Sequence, residues 1–357
     1  VKVETDEGIT GWGEATCGPL SVSTMVDEFG AVITGKDPME IEKHWQTLYH
    51  HFHVRGGIVQ MSAISGIEIA LWDIKGQALG VPVYELLGGK IRDRIWTYGR
   101  WDGGTPELAV ENAMDHIQRG LTALKGDPFE HRGIFIDRAS EELAIAKMKA
   151  VREAVGDDIK LMVDAHGKQT PTVAIEIVNA LEPLDLLFFE EPVPPRNVEA
   201  LLLVTAATNV PLATGERMYN RWDFRTTIES QAVSVLQPDL GHAGGISETR
   251  RIAAAAETYF MSVAPHNPRG PGVTMASLHI AACTPNFIIQ ESSIPPGSNE
   301  VWDEMLVEPL KITDGYVDLP RAPGIGIKFD ESLAERFPFQ GRDTAHPVLA
   351  DGSVTDW

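Results

Sequence analysis

The chain has 357 residues, 43% of them hydrophobic and 23% charged, an ordinary globular composition with enough apolar material for a large core. Against 51 Asp and Glu it carries only 30 Lys and Arg, a net charge of −21. Nucleic acid and anionic membrane are therefore excluded as natural partners, since both demand basic surface; a small anionic substrate stays admissible where local positive charge or a metal receives it.

Taken in chain order, residues 1–90 begin with the strand-like "VKVETDEGITGWGEA". This opening has no Met, so residues ahead of Val1 are expected. The cluster His44, His50, His51 and His53 is assigned to a helix and its exit loop rather than to a metal. A helical run follows in which Ile64, Ile67, Leu71 and Ile74 share one face. Gly80 and Pro82 end it. "LLGGKIRD" then crosses into a different pattern.

From residue 91 onward the chain repeats. "RIWTYGRW" and "LTALKGDP" read as strands, with helices around 105–119 and 139–155. Six further apolar segments end on an ionisable residue: Asp164, Glu190, Glu216, Asp239, His266 and Glu291, spaced by 26, 26, 23, 27 and 25. Helix-like stretches such as "TVAIEIVNALE", "VEALLLVTAAT" and "SETRRIAAAAETY" separate them. Strand, loop and helix at this pitch make a βα unit. Eight strands fit an α/β TIM-type (β/α)7β barrel, occupying 91–304, better than an open sheet. No G-x-G-x-x-G follows any strand, which disfavours a dinucleotide fold. At the far end, "LKITDGYVDLP" reads as a hairpin turning at Asp314-Gly315. Residues 305–357 are expected to return to 1–90 and complete a small α+β capping domain beside the barrel mouth.

In a barrel all strand ends share one face, where active sites sit. One Asp-x-His-Gly is a weak signal, because an Asp there is commonly the cap of the next helix. Six ionisable strand ends carry more weight. Asp164 and His166, two apart, are expected on one face of the same strand. Asp164, Glu190 and Glu216 cannot all stay charged in one pocket without protons or a cation. An all-oxygen donor set selects Mg²⁺ first and Mn²⁺ second. Asp239 beside His266 would fix the imidazole tautomer and make His266 a general base. His166, across the mouth, suits the role of acid. Lys125 is a candidate to offset a bound carboxylate, though a lysine at a strand end also snorkels. Glu191 is expected to face away from Glu190.

These residues resemble the enolase superfamily, in its mandelate racemase-like subgroup. The resemblance covers nearly the whole chain: "RGGIVQMSAISGIEIALWDIKGQALGVPVYELLGG", then DAHG, EEPV, GERM, QPDLGHAGGI and APHNP. Within that subgroup the sequence is most similar to D-galactonate dehydratase-like sugar acid dehydratases. The resemblance implies Asp164, Glu190 and Glu216 as ligands of one Mg²⁺ per subunit. It implies His266, paired with Asp239, as the base at the carbon alpha to the carboxylate, and His166 as the acid for the departing 3-hydroxyl. Glu291 would hydrogen-bond the substrate carboxylate or enediolate, and the product would be a 2-keto-3-deoxy sugar acid. A homo-oligomer is also implied. Many members of the superfamily carry Lys-x-Lys where this chain has Lys125-Gly126-Asp127. That departure weakens racemisation, which needs bases on both faces, and leaves Asp127 as a candidate for binding a substrate hydroxyl. Gluconate or another aldonate or aldarate, a racemase or epimerase, and a non-catalytic sugar-binding barrel are the alternatives.

Lysine is scarcer than arginine, 12 against 18. The acidity fits a salt-adapted cytoplasm or simply an acidic enzyme. Cys17 and Cys283 have no metal-type spacing and read as reduced thiols. No signal peptide pattern or membrane-length apolar run occurs, so a cytoplasmic location is expected.

Overall fold

The computed structural model describes every residue except 131, 132, 134, 135, 269, 293–298, 341–347, 350, 356 and 357. The chain opens with an antiparallel pair, β1 (Lys2–Glu4) and β2 (Thr10–Trp12). Three helices follow: α1 (Pro19–Ile33), α2 (Ile41–Tyr49) and α3 (Ile58–Leu79). Ile64, Ile67, Leu71 and Ile74 pack with Phe29, Trp45 and Leu48 in one core. Yet α3 is not one-sided: every residue from Gln60 through Leu71 is buried, and Ile69 joins the core of the following domain. The helix runs between two packed layers, so a single apolar face understates its burial. Gly80 terminates it in the left-handed region at φ 69. One turn, α4 (Val83–Leu86), completes the crossing.

The repeating part consists of β3 (Arg94–Trp101), α5 (Pro106–Gln118), β4 (Ala123–Gly126), α6 (Arg138–Val155), β5 (Lys160–Asp164), α7 (Pro171–Leu181), β6 (Leu186–Glu190) and α8 (Val198–Thr205). It continues with β7 (Leu212–Thr214), α9 (Arg221–Glu229), β8 (Val235–Leu236), α10 (Gly245–Glu257), β9 (Ser262–Val263), α11 (Pro271–Cys283) and β10 (Gln290–Glu291). Each strand from β3 to β8 pairs in parallel with the next. β10 pairs back onto β3, and a parallel bridge from Val263 to Phe287 closes the remaining gap. The sheet is therefore a closed eight-stranded barrel.

Period-two alternation fills it. Tyr98, Ala123, Met162, Phe188, Ala213, Val235, Ala264 and Ile289 form one interior cluster. Their neighbours Leu124, Leu161, Val163, Phe189, Leu212, Leu236 and Val263 face the helices. Counting two residues past Ala123, Met162, Phe188, Ala264 and Ile289 reaches Lys125, Asp164, Glu190, His266 and Glu291, and four past Val235 reaches Asp239.

After the barrel come α12 (Glu300–Glu304), β11 (Ile312–Thr313), β12 (Tyr316–Asp318) and α13 (Ser332–Arg336). The hairpin turns as expected at Asp314-Gly315, both at positive φ (51 and 80). Its placement differs from expectation: β12 pairs antiparallel with Arg94, Ile95 and Trp96, the start of β3, so the hairpin lies on the barrel at the end opposite the mouth. The segment beyond it reaches the N-terminal unit. There the Ile325 N–H donates to Asp73 at 2.8 Å, Val83 N–H to the Gly324 carbonyl at 3.1 Å, and Phe329 packs on Trp12. The rest of the returning segment falls partly outside the described residues.

Two glycine-capped barrel helices show how the N-terminal unit is seated. α10 and α11 follow Gly244 and Gly270, neither of which caps its helix with a side chain. Glu68 of α3 accepts instead from Ile246 N–H (2.8 Å) and Ser247 N–H (2.9 Å). Glu14 accepts from Gly270 N–H (2.8 Å) and Val273 N–H (3.0 Å). Helix N-termini carry orphan donors and partial positive charge. In a βα barrel they lie at the mouth end, so these two carboxylates hold the N-terminal unit over the mouth.

Candidate active site

The strand ends converge as the spacing predicts, though not all by the same route. Asp164, Glu190 and Glu291 are the last residues of β5, β6 and β10. Asp239 and His266 lie three residues beyond β8 and β9, in loops. Glu216 lies two beyond β7 and is one residue out of phase with the interior Ala213. Gly215 makes the shift: at φ 146 the backbone turns where a Cβ would sit 2.8 Å from both Gln237 N and the Phe224 ring.

Asp164, Glu190 and Glu216 each bring a carboxylate oxygen within 4.8 Å of the others, and this is the only group of metal-ligating type among the described residues. The histidines of 44–53 form no such group: His44 lies on α2 and bonds the Asp37 carbonyl, and His50 the Gln46 carbonyl. The triad is crowded. Burial, and then the Asp164 charge, push the Glu190 carboxyl up from its ordinary range. Glu190 Oε1 is buried without a hydrogen bond among the described residues. A buried, orphaned oxygen in an all-carboxylate set is what a hard divalent cation relieves, so the residues fit Mg²⁺.

Lys125 sits beneath the triad, fully buried. Its Nζ donates to Glu190 Oε2 at 2.7 Å and lies 3.1 Å from Glu291 Oε1 and 3.4 Å from Asp164 Oδ2. Burial opposes its charge, but the Glu190 and Glu291 charges outweigh that and hold it protonated well above its ordinary range. The ammonium is thus a fixed counter-charge to three carboxylates. Glu291 also accepts from Asn267 N–H at 2.7 Å.

His266 bridges the two acids flanking it. Its Nδ1 is 2.8 Å from Asp239 Oδ2 and its Nε2 is 3.0 Å from Glu216 Oε2. Burial disfavours its charge; Glu216, Glu291 and the Asp239 hydrogen bond overcome this and raise its pKa well above the ordinary value.

His166 reaches the site differently from expectation. β5 stops at Asp164, and His166 is left-handed at φ 50, so strand alternation does not orient it. Asp164 Oδ1 accepts its backbone N–H at 3.2 Å. The ring turns to Asp127, with Nδ1 3.0 Å from Oδ2. Burial opposes protonation here too, but the Asp127 hydrogen bond and the Asp164 charge raise the pKa.

Asp127 itself departs from the role of a substrate-hydroxyl ligand. Oδ2 also accepts from Lys168 Nζ at 2.9 Å, and Oδ1 accepts from Phe129 N–H at 3.0 Å. Both oxygens are engaged by the protein. Burial alone would raise its pKa; His166 and Lys168 bring it down to about 2.

Three residues outside the expected set support this constellation. Lys168 closes the DAHGK stretch. Arg217, inside GERM, pairs with Glu191 Oε2 at 2.6 Å and donates to the His166 carbonyl at 2.5 Å. Glu191 is buried and left-handed at φ 43. His242 Nε2 donates to the Glu216 carbonyl at 2.6 Å, and its Nδ1 receives the Thr16 hydroxyl at 2.9 Å. Thr16 thus brings the N-terminal unit to a triad residue. All three stand within three residues of a predicted site residue, but in loops, where alternation assigns no face.

A closed barrel whose mouth carries three clustered carboxylates, facing a His–Asp pair, defines a class of enzyme, and sequence comparison agrees. Residues 1–88 match the mandelate racemase/muconate lactonizing enzyme N-terminal domain, and residues 108–333 the enolase C-terminal domain-like family. The chain belongs to the enolase superfamily, in its mandelate racemase subgroup. Among its relatives, a D-galactonate dehydratase of Variovorax paradoxus (strain S110) is 40% identical over 365 residues, covering 100% of this chain and 96% of its own. A D-galactonate dehydratase of Ralstonia pickettii (strain 12J) is 41% identical over 366 residues, with the same coverage. The crystal structure of a mandelate racemase/muconate lactonizing enzyme from Sulfitobacter sp. superposes with a TM-score of 0.88 at 36% identity, covering 95% of this chain and 90% of that one.

Proposed function

We propose that the chain is a Mg²⁺-dependent sugar acid dehydratase, a hydro-lyase, with D-galactonate its first candidate substrate. The observation that carries this reading is His266, hydrogen-bonded to Asp239 and abutting the carboxylate triad, with His166 on the far side of Asp164.

Asp164, Glu190 and Glu216 would hold the cation. When bound, it supplies Lewis-acid stabilisation of the charge that gathers on the substrate carboxylate. Lys125 and Glu291 stand beside the triad, where Lys125 adds positive potential and Glu291, in its protonated form, would donate a hydrogen bond to the enediolate. His266, its tautomer set by Asp239, removes the proton from C2. His166 delivers a proton to the 3-hydroxyl as the C3–O bond breaks, and water leaves. The resulting enol ketonises to a 2-keto-3-deoxy acid. Asp127 stands where a second lysine base would sit in a racemase, which favours elimination over racemisation. Residues 1–90, seated over the mouth by Glu14 and Glu68, would contact distal hydroxyls and so select among aldonates, gluconate included.

Mn²⁺ is expected to substitute for Mg²⁺. No helix among the described residues is long and apolar enough to cross a membrane, and Cys17 and Cys283 form no disulfide. A cytoplasmic location and a homo-oligomer are proposed from the family resemblance, and light scattering tests the oligomer. The decisive experiment incubates the protein with a panel of sugar acids and Mg²⁺ in D₂O. Ketone formation from galactonate, abolished by EDTA and restored by Mg²⁺, is the expected result. Deuterium uptake without water loss would replace dehydration by racemisation, and inertness toward every acid would leave only a binding role.

A further inference from the structure

The DAHGK stretch and the strand-end Asp127 form a second His–carboxylate pair, opposite the first. Asp127 Oδ2 lies 3.0 Å from His166 Nδ1 and accepts from Lys168 Nζ at 2.9 Å, while Oδ1 is fixed by Phe129 N–H at 3.0 Å. Lys168 is buried and also donates to the Phe129 carbonyl at 3.4 Å. The carboxylate therefore cannot turn without losing several bonds at once. From the other side, Asp164 Oδ1 holds the His166 backbone N–H and Arg217 holds its carbonyl. A left-handed histidine just past a strand end is otherwise conformationally costly. Here its backbone is clamped at both ends and its ring at Nδ1.

We propose that Asp127 and Lys168 are positioning residues that dedicate His166 to a single proton transfer. They hold its Nδ1 proton on Asp127, so that the Nε2 proton is the one delivered to the departing hydroxyl. This rests on the dehydratase reading above. In the step, His266 has taken the C2 proton and left its electron pair on the enediolate. That pair forms the C2=C3 bond, the C3–O bond breaks with its electrons going to oxygen, and the His166 Nε2 proton joins that oxygen to release water. His166 is left as the neutral Nδ1–H tautomer, still bonded to Asp127. An acceptor-only carboxylate enforces that tautomer; an amide can present its NH₂ instead and stabilise the opposite one. Lys168 keeps Asp127 ionised and aimed.

The test uses the Mg²⁺-loaded full chain with galactonate in D₂O and follows two rates: ketone formation, and deuterium appearing at C2 of recovered galactonate. Asp127→Asn is expected to lower dehydration by ~10²-fold or more while deuterium exchange, which uses His266 and Asp239 but no acid at C3, stays within about tenfold of the wild-type rate of C2–H cleavage. Lys168→Met is expected to show the same split less severely, and Lys168→Arg to restore dehydration. Equal losses in both rates, or unchanged dehydration in Asp127→Asn, would overturn the proposal. A readout independent of turnover is the ¹⁵N spectrum of histidine-labelled protein without metal, with His166 assigned by its disappearance in His166→Gln. Wild type should show the Nδ1–H tautomer in its neutral form and Asp127→Asn a shift toward Nε2–H; no change of tautomer would also overturn it. If wild type acts on no sugar acid, the dehydratase reading falls, and the tautomer alone decides what Asp127 does.

Discussion

Replacing Lys125 by Met keeps an unbranched side chain one atom shorter and removes one fully buried charge from among three carboxylates. The Coulomb attraction lost is about 6 kcal/mol for Glu190 at 2.7 Å and about 5 kcal/mol each for Glu291 at 3.1 Å and Asp164 at 3.4 Å, taking an effective dielectric of about 20. Against this stands the desolvation of the ammonium, several kcal/mol, which the variant no longer bears. Breaking buried pairs by removing one partner costs about 3–5 kcal/mol, so the variant should be less stable by about 4 kcal/mol at pH 8 in EDTA. The pH dependence follows from Glu190, whose pKa is raised from 4.5 to about 7, by burial first and Asp164 second. The native protein then keeps a proton that the unfolded chain has released, so stability falls as pH rises between those values and levels off above them. Lys125 lowers the Glu190 pKa, and its loss extends that fall beyond pH 7. Mg²⁺ at a hundredfold excess over its dissociation constant stabilises the fold by about 2.7 kcal/mol, and it should rescue the variant more than wild type by replacing the missing positive charge. Urea unfolding at pH 6 and 8, with EDTA or Mg²⁺, measures all of this. A variant within about 1 kcal/mol of wild type at pH 8, or a loss indifferent to both pH and Mg²⁺, would refute Lys125 as the counter-charge of Asp164, Glu190 and Glu291.

His266→Asn should fold normally and lose at least ~10²-fold in both dehydration and C2 exchange, since no proton acceptor of comparable basicity replaces it; near-normal turnover would remove it as the base. Glu68→Ala leaves the buried Ile246 N–H and the half-buried Ser247 N–H without their acceptor, at about 1–3 kcal/mol for a buried group; urea denaturation should show a loss of about 3 kcal/mol, and a midpoint unchanged from wild type would mean that α3 does not cap α10. If the net charge of −21 reflects salt adaptation, molar KCl should raise the thermal midpoint, whereas destabilisation there would favour an ordinary acidic enzyme.

The sequence by itself determined the eight-unit pitch, the carboxylate triad and the His266–Asp239 pair, because hydrophobic periodicity and strand length place successive strand ends on one rim whatever the intervening helices do. It also located the turn at Asp314-Gly315, where local backbone chemistry suffices. Tertiary structure alone decided how several of these groups are presented past the strand ends: the phase shift at Gly215 that admits Glu216, the left-handed His166, and the capture of Asp127 by His166 and Lys168 instead of by substrate. It also decided that the hairpin would extend the barrel sheet at β3, and that Glu14 and Glu68 would cap helices far away in sequence. Alternation holds only while a strand lasts, and charges find their partners through distances across the fold that no spacing along the chain encodes.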